Sequence, residues 1–469
     1  MDRLTFKKAA PEHQEAVLQW LSEPHIKEFW DNSPEHREDI LIFMNGRKEP
    51  SPYWNGMFDY WIGFVEDEPY CLLMTSEILP HQTDLPEVWK AYLSRKGKTF
   101  SIDFMIGNTK HLGKGLGGKT LESFTEFIQE KIDPTVDTFF IDPAASNPRA
   151  KHVYEKGGFE TVATFYRDCQ DEKNVEHFLM VKKMPEAGFV EVDGFKLRYR
   201  IEGEGQTALI VGSAIYYQRS FSKQLREHLR LIFVDWRGFG EMMNSPSGSS
   251  LSLDTFIDDI EQVRKKLNIE SLIMVGHSAH ALLALEYAKK YPKYVSHVVM
   301  IGISPNLSPE MAQAAERNWQ ESVWPERKEV LQARIKELPD EELQKLAPAE
   351  RFVAWCIRRA PQTWYDYHFN SSSLWEGIIP NLSMLDYFYG VALRDLDITK
   401  GLENFNKPVL LALGRFDFIL APASVWDPIR SKFQNLTVRI FEHSGHSPHY
   451  EEASLFENEL LQWIEKKDG

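Results

Sequence analysis

The spacing of apolar residues changes along the chain and divides it into two parts. In the first part, short apolar or alternating runs predict strands, at residues 4–9, 60–78, 99–106, 138–141, 159–166 and 176–182. Apolar residues at helical spacing predict helices, at 13–21, 118–132 and 148–156. The acidic turn at 66–69 splits the run at 60–78 into a hairpin. Hairpin-paired strands mixed with helices predict an α+β domain with a mixed sheet over residues 1–184.

The second part begins after residues 184–188, where Pro185 and Gly188 interrupt the pattern. Short apolar runs then alternate with helical segments, at 208–211, 231–234, 272–275, 297–301 and 409–413. This alternation predicts a parallel, doubly wound α/β sheet over residues 189–469. Residues 306–401 are helical, rich in Trp, Glu and Arg, and interrupt the strand series, which predicts an inserted helical lid.

Length, charge and cysteine content narrow the classes of function. A chain of 469 residues suits two or three domains of about 100–200 residues each. The net charge is −15 and both parts are acidic, so we expect no nucleic-acid partner and favour small cationic or amine-bearing ligands. Alternatively, the negative net charge only keeps the protein soluble. The three cysteines form no CxxC pair, so we expect no metal site and no disulfide framework.

The chain also lacks the patterns of export or membrane insertion. Its first residues have no apolar signal-peptide core. No apolar run approaches the about 20 residues of a membrane helix. We therefore expect a cytoplasmic protein without a membrane partner.

A glycine-rich turn follows the strand at 99–106 and opens a helix, with the sequence HLGKGLGG over residues 111–118. Glycines let backbone N–H groups approach a phosphate, and a helix N-terminus favours an anion. The predicted pyrophosphate-binding residues are Leu112, Gly113, Lys114, Gly115, Leu116, Gly117 and Gly118. Residues 113–120 also fit the P-loop pattern GxxxxGK[ST], and an ordinary strand-to-helix loop is a third interpretation. A P-loop follows its strand directly in a parallel βαβ sheet, whereas this turn lies several residues after its strand and among hairpins.

Further motifs in the first part carry a family resemblance. The runs DPAASNPRA (142–150) and VYEKGGF (153–159), together with the glycine turn, resemble the GNAT acetyltransferase superfamily. With WLSEPHIKEFW (20–30), the closest resemblance is to aminoglycoside 6′-N-acetyltransferases, although acetylases of siderophore precursors share much of the pattern. The resemblance covers nearly all of residues 1–184. It implies acetyl-CoA as co-substrate, bound by the turn and Asn147, an amine acceptor of the aminoglycoside kind, and a role in antibiotic resistance.

Three side chains match the family's reaction. Asp103 lies within an apolar strand, where a carboxylate is costly without a partner or a purpose, and it matches the base that accepts the amine proton. Asp142 matches a second carboxylate near the amine, and Tyr154 matches the acid that protonates the leaving thiolate. Structural roles stay open for both: Asp142 as a turn cap and Tyr154 as a packing residue under the sheet.

In the second part, the run at 272–275 leads into Gly276-His277-Ser278-Ala279-His280 and a helix. A serine on a sharp turn between strand and helix is the nucleophile-elbow arrangement. An acid and a histidine follow in the required order, Asp417 after the strand at 409–413 and His446 after the strand at 436–441.

With DWRGFG (235–240) and SGHSPHYEE (444–452), residues 189–469 resemble α/β hydrolases of the proline-iminopeptidase-like type. The resemblance implies Ser278 as nucleophile, Asp417 as orienting acid and His446 as general base and acid. We place the oxyanion-hole donors at Ser213 and Ala279.

Two positions depart from the hydrolase pattern. His280 replaces the usual last glycine of the elbow, and the usual His-Gly of the oxyanion loop is Val211-Gly212. These departures leave the efficiency and the substrate of the hydrolase open. Taken together, the motifs predict a bifunctional enzyme, an acetyl-CoA-dependent amine N-acetyltransferase fused to a serine hydrolase acting on small substrates. The alternatives are a CoA-sensing first domain beside an active hydrolase, or an active acetyltransferase beside a non-catalytic, ligand-binding second domain.

Overall fold

The computed structural model describes residues 4–82, 85–169, 172–244 and 251–466. The chain divides into two compact units, Met1–Ala187 and Gly188–Gly469, and each is described by itself. In the described ranges, no helix is both long enough and apolar enough to cross a lipid bilayer.

The first unit is built on a mixed sheet, seven-stranded in its described residues, in the order β1-β2-β3-β4-β5-β7-β6. The strands are β1 (Leu4–Lys8), β2 (Asp59–Val65), β3 (Glu68–Ile78), β4 (Lys98–Ile106), β5 (Val136–Ile141), β6 (Glu160–Cys169) and β7 (Glu172–Lys183). Neighbouring strands are antiparallel except β4 and β5, which run parallel. The mixed sheet predicted for this part of the chain is confirmed.

The helices of the first unit are α1 (Gln14–Trp20), α2 (Pro24–Lys27), α3 (Pro34–Met44), α4 (Glu87–Lys90), α5 (Leu116–Phe127) and α6 (Pro148–Lys156). They pack on both faces of the sheet, because successive residues of a strand point to opposite sides. On β2, Trp61 packs against Phe124 of α5, whereas Tyr60 and Ile62 pack in the other cluster with Trp20 of α1.

The pairing of β4 with β5 ends early and leaves an opening in the sheet. The last paired residues are Ser101 and Phe140, although β4 continues to Ile106. Asp103 lies beyond this last pair, and Asp142 follows the end of β5. The two carboxylates therefore flank the point where the strands separate.

The second unit contains a mainly parallel sheet in the order β12-β9-β11-β10-β13-β14-β15-β16, with β8 paired to β9. Its strands are β8 (Glu186–Val192), β9 (Phe195–Glu202), β10 (Gln206–Gly212), β11 (Leu229–Asp235), β12 (Glu241–Met242), β13 (Leu272–His277), β14 (Val295–Ile301), β15 (Val409–Gly414) and β16 (Leu436–Phe441). Strands β10, β11 and β13 to β16 are parallel, and β9 is antiparallel to its neighbours. The predicted doubly wound sheet is confirmed. Strand β8 begins at Glu186, inside the segment where the sequence pattern predicted a break.

Helices cover both faces of this sheet and form the lid. They are α7 (Ala214–Ser220), α8 (Leu253–Lys266), α9 (Ala279–Lys290), α10 (Pro309–Ser322), α11 (Pro325–Glu337), α12 (Asp340–Lys345), α13 (Pro348–Arg358), α14 (Ala360–Thr363), α15 (Ser372–Trp375), α16 (Leu382–Tyr387), α17 (Asp427–Arg430), α18 (Pro448–Glu451) and α19 (Ala453–Glu465). Helices α10 to α16 lie between β14 and β15, in the region predicted to be the lid. On β10, Leu209 and Val211 pack in one core cluster and Ala208 and Ile210 in the other, which explains why the strand is apolar throughout.

Candidate active sites

The glycine turn of the first unit connects β4 to α5. Gly113 and Gly115 have φ angles of +74° and +73°, a left-handed conformation that glycine adopts without steric cost. No heavy atom lies within 4 Å of the position a Cβ would take at either residue. Gly115 is also the N-cap of α5, so the open space lies where α5 presents its first backbone N–H groups. This arrangement fits an anionic group such as a pyrophosphate.

The other predicted binding residues have structural contacts. A Cβ at Gly117 would lie 2.6 Å from Val153, and one at Gly118 would lie 2.7 Å from Lys156, so these two glycines permit α5 to pack against α6. The Asn147 side chain accepts a hydrogen bond of 3.0 Å from the Ala150 N–H and caps α6. Of the remaining predicted residues, Leu116 is buried in the first turn of α5, Lys114 is exposed, and Leu112 is half-buried just before the turn.

The two carboxylates at the opening of the sheet have different surroundings. Asp142 forms an ion pair with Arg167, whose Nη1 lies 3.0 Å from Oδ2. His177 Nδ1 lies 2.9 Å from the carbonyl oxygen of Asp142 and 3.4 Å from Oδ2. Burial, and then the neighbouring Asp142 carboxylate, raises the pKa of Asp103 to about 7. A carboxyl group with a raised pKa beside a second carboxylate is typical of acid–base sites.

Tyr154 lies on α6, within electrostatic range of the Asp103 and Asp142 carboxylates. Burial, together with Asp103 and Asp142, raises the pKa of its hydroxyl, so Tyr154 stays protonated and can donate a proton or a hydrogen bond. One further residue near this opening has no signal in the sequence. Tyr53, which donates a hydrogen bond of 3.0 Å to Asp31, also lies within electrostatic range of Asp103.

In the second unit, Ser278 stands on a strained turn between β13 and α9. Its φ and ψ angles are 57° and −140°, which is unusual for a residue other than glycine. A Cβ at Gly276 would lie 2.2 Å from the His280 carbonyl oxygen, so the turn requires glycine at this position. The Ser278 N–H donates a hydrogen bond of 2.8 Å to the carbonyl of Ile301, at the end of β14. This is the backbone geometry of a nucleophile elbow.

Asp417 and His446 lie on the loops that follow β15 and β16. His446 Nδ1 and Asp417 Oδ2 are 2.7 Å apart, and the Asp417 side chain is only 5% exposed. A nitrogen of His277, the residue before Ser278, lies 2.8 Å from the His446 carbonyl oxygen and links the elbow to the histidine loop. Because β13 to β16 are parallel neighbours, the three predicted triad residues gather at one edge of the sheet.

The predicted oxyanion-hole donors occupy the loop after β10 and the start of α9. The Ser213 hydroxyl accepts a hydrogen bond of 3.3 Å from Tyr216 N–H, and the next N–H, that of Ala214, donates to Asp235 at 2.7 Å. Ala279 is the first residue of α9 and is buried.

Both departures from the hydrolase pattern are accommodated. Val211 is a core residue of β10. The His280 ring lies among aromatic rings, 5.4 Å from that of Trp236 and 6.0 Å from that of Phe388. Burial lowers the pKa of His280 to about 4, so the ring is neutral.

The structure adds a lid residue to this site that sequence reasoning missed. The Tyr389 hydroxyl lies in hydrogen-bonding range of the Ser278 side chain, and the residue is 39% exposed. Tyr389 lies in a π-helical turn, Phe388–Ala392, directly after α16, a local form often found at functional sites. No spacing in the sequence signals this contact, because the fold alone brings residues 278 and 389 together.

In the described part of the chain, no three His, Cys, Asp or Glu side chains are grouped as ligands for an ion. Cys71 and Cys356 are free thiols, and the side chain of Cys169 lies outside the described residues.

Comparison with known families agrees with the two folds. The profile of the α/β hydrolase fold matches residues 211–453, and that of the acetyltransferase (GNAT) domain matches residues 10–167. The second part of the chain is similar to the AB hydrolase superfamily protein YclE of Bacillus subtilis, with 36% identity over 283 residues, 60% of this chain and 100% of that protein. It is also 23% identical to a proline iminopeptidase of Pestalotiopsis fici, over 59% of this chain and 99% of that protein.

The first part of the chain has a different relative. It is 30% identical over 160 residues to an aminoglycoside N(6′)-acetyltransferase type 1 of Klebsiella pneumoniae, which covers 33% of this chain and 72% of that enzyme. Fold and relatives agree for each unit. The chain therefore belongs to two families at once, the GNAT acetyltransferases through its first part and the α/β hydrolases through its second.

Proposed function

We propose that the protein is a bifunctional enzyme that combines an acetyl-CoA-dependent amine N-acetyltransferase with a serine hydrolase. The observation that carries the first activity is that Asp103 and Asp142 flank the opening between β4 and β5 and that β4 leads into the glycine turn. The observation that carries the second is the Asp417–His446 pair of 2.7 Å, joined to the elbow by the contact of 2.8 Å between His277 and the His446 carbonyl. The first site has the acidic character that a cationic, aminoglycoside-like acceptor requires.

In acetyl transfer, bound acetyl-CoA would supply a thioester with its pyrophosphate at Gly113 and Gly115. The amine nitrogen forms a bond to the acetyl carbon, and the carbon–sulfur bond breaks. Asp103 accepts the proton that the amine loses, and Tyr154 donates a proton to the departing sulfur. Asp142, held by Arg167 and His177, stays available to attract a cationic acceptor.

A mass-spectrometric screen of the purified protein tests this activity. The protein is incubated with acetyl-CoA and a panel of aminoglycosides, other polyamines and hydroxamate precursors, and acetylated products are sought. An acetylated aminoglycoside supports the favoured acceptor and a role in antibiotic resistance. A product from another amine alone rejects that acceptor and keeps the mechanism. Binding of acetyl-CoA without any product favours the CoA-sensing alternative.

In hydrolysis, His446 takes the Ser278 proton while Asp417 holds the imidazole in the required tautomer. The Ser278 oxygen then attacks the carbonyl carbon of an ester, an amide or an N-terminal prolyl bond, and His446 returns the proton to the leaving group. Backbone N–H groups at Ser213 and Ala279 stabilise the oxyanion. Water repeats the sequence and releases the acid.

A fluorophosphonate probe followed by peptide mapping tests the second activity. Labelling of Ser278 in the wild type and its loss in His446→Ala support the proposed triad. Since triad residues act as a unit, Ser278→Ala and His446→Ala should each remove most turnover, and the double variant little more. Absence of labelling, together with absence of turnover of p-nitrophenyl esters and prolyl-arylamides, favours the non-catalytic, ligand-binding alternative.

A further inference from the structure

One short piece of the lid bonds to both loops that carry the acid and the base of the hydrolase site. We call it the bridging segment, residues 361–365, at the end of α14 and just after it. The carbonyl of Gln362 accepts a hydrogen bond of 2.9 Å from the N–H of Phe418, the residue after Asp417. The carbonyl of Thr363 accepts one of 2.6 Å from the N–H of His446 itself. The backbone positions of the acid and the base are thus set against the same segment.

Arg327, on lid helix α11, holds the bridging segment from its other side. Its Nη1 donates hydrogen bonds to the carbonyls of Pro361 (3.0 Å) and Trp364 (2.7 Å), and its Nη2 donates to that of Tyr365 (2.6 Å). The residue is only 2% exposed, and burial lowers its pKa. Burying a guanidinium against neutral carbonyls is costly, which argues that these bonds serve a purpose beyond filling space.

Aromatic rings on the acid loop complete the contact. The Arg327 guanidinium lies 5.5 Å from the ring of Phe416 and 5.5 Å from that of Phe418, the two residues that flank Asp417. Cation–π contacts of this kind add to the hydrogen bonds in fixing the loop.

Glu451 ties the bridging segment to the histidine loop. One carboxylate oxygen accepts hydrogen bonds from the N–H groups of Gly445 (2.9 Å) and Ser447 (3.2 Å), which flank His446. The other accepts from the Tyr365 N–H at 2.6 Å. The fit is close, since a Cβ at Gly445 would lie 2.3 Å from the Thr363 oxygen.

We propose that Arg327 is a positioning residue of the hydrolase reaction, which acts through the bridging segment to hold Asp417 and His446 in hydrogen-bond contact. The proposal rests on the proposed hydrolase function. A displacement of about 1 Å in a catalytic group costs about 10²-fold in rate. The loss should fall on kcat rather than KM, because Arg327 touches the loops and not the substrate.

The test compares Arg327→Met and Arg327→Lys with Arg334→Met in the full chain. Arg334 is a matched control, because it also lies on α11 and donates to lid carbonyls, those of Ile357 (2.8 Å), His368 (3.0 Å) and Phe369 (3.3 Å), outside the bridging segment. We expect kcat for a p-nitrophenyl ester to fall about 10²-fold in Arg327→Met with KM little changed, and to stay near wild type in Arg334→Met. In Arg327→Lys, kcat should fall less, because lysine keeps the positive charge but lacks the two separate NH₂ donors of the guanidinium group.

A second measurement separates this proposal from the hydrolase proposal. The proton between His446 Nδ1 and Asp417 gives a low-field NMR resonance that is assigned by its loss in His446→Ala. We expect this resonance to weaken or shift in Arg327→Met and to persist in Arg334→Met. A resonance and a kcat that are unchanged in Arg327→Met, or equal losses in both variants, would overturn the positioning role. If the wild type neither turns over substrate nor reacts with fluorophosphonate, the hydrolase proposal fails, and the resonance alone then tests whether Arg327 holds Asp417 and His446 in contact. If Arg327→Met does not fold, both measurements are made on Arg327→Lys.

Discussion

Asp103 and Asp142 are identical side chains in different surroundings. Asp142 forms an ion pair with Arg167, whereas Asp103 is buried beside it and its pKa rises to about 7. A base must be deprotonated to accept a proton, so acetyl transfer should increase as pH rises through about 7 in the wild type. Asp103→Asn should lower the rate by about 10²–10⁴-fold and remove this rise. Initial rates measured from pH 5.5 to pH 8.5 check both effects.

A control for this experiment is Asp59→Asn, which changes an exposed aspartate of β2 that pairs with Lys8. This variant should keep the wild-type rate and pH profile. A rate in Asp103→Asn that matches that of Asp59→Asn would reject the role of Asp103 as the base.

Gly115 offers a prediction about cofactor binding. A side chain at this position would enter the open space beside the first N–H groups of α5. Gly115→Val should therefore weaken acetyl-CoA binding by about tenfold or more, a loss of about 1.4 kcal/mol or more, measured by calorimetric titration. ATP serves as the ligand that tests the P-loop interpretation.

The φ angle of Gly115 makes valine strained there, so the control must carry the same strain. Gly46, with a φ angle of +77° and also nothing within 4 Å, provides it in the same unit. Gly46→Val should lose stability but keep its affinity for acetyl-CoA. Equal affinity in the two variants would contradict the proposed pyrophosphate site.

At the scale of elements, the ends of β13, α9 and α18 bring together histidines that the fold keeps neutral. Burial lowers the pKa of His280 to about 4 and that of His449 to about 3, and it lowers the pKa of His277 well below its usual value. The unfolded chain takes up protons at these residues below pH of about 6.5, whereas the folded chain does not. The free energy of unfolding should therefore decrease as pH falls, by about 1.4 kcal/mol per pH unit for each such histidine.

Substitution of one histidine tests this account. His449→Gln removes one titrating group and keeps a hydrogen-bonding side chain near the Ser220 hydroxyl, which lies 3.2 Å from His449 Nε2. Its thermal midpoint, followed by calorimetry from pH 8 to pH 5, should fall less steeply than that of the wild type. His443→Gln changes a histidine with a 69% exposed side chain and should follow the wild type. Parallel curves of thermal midpoint against pH for all three proteins would show that His449 does not contribute to the loss of stability at low pH.

Strands and helices could be predicted from the sequence where their burial produces a regular spacing of apolar residues. Apolar runs predicted most strands of both sheets, and residues 148–156 form a helix as expected, since Asn147 caps it and Pro148 begins it. The partners of Asp142 could not be predicted in this way. An isolated bridge between Ala144 and His177 brings His177 to Asp142, and such a register is decided by the whole sheet. The bonds of Arg327 to the bridging segment have the same origin in long-range packing.

At the scale of the whole molecule, the two proposed activities depend on separate parts of the chain. The side chains proposed for acetyl transfer lie in Met1–Ala187, and those proposed for hydrolysis lie in Gly188–Gly469. Each unit has its own sheet and its own apolar clusters. Each proposed site is therefore built from side chains of one unit alone.

This separation predicts the behaviour of a pair of variants and their combination. Ser278→Ala should leave acetyl transfer within about twofold of the wild type, and Asp103→Asn should leave fluorophosphonate labelling of Ser278 equally unaffected, because independent sites add within about 0.5 kcal/mol. The double variant should lose acetyl transfer to the same extent as Asp103→Asn and Ser278 labelling to the same extent as Ser278→Ala, with no additional loss. Parallel assays of the full-length proteins, with acetylated amine and labelled Ser278 as the two readouts, check this. A loss of acetyl transfer in Ser278→Ala would instead show that the two reactions are coupled, for example through hydrolysis of one substrate supplying the amine for the other.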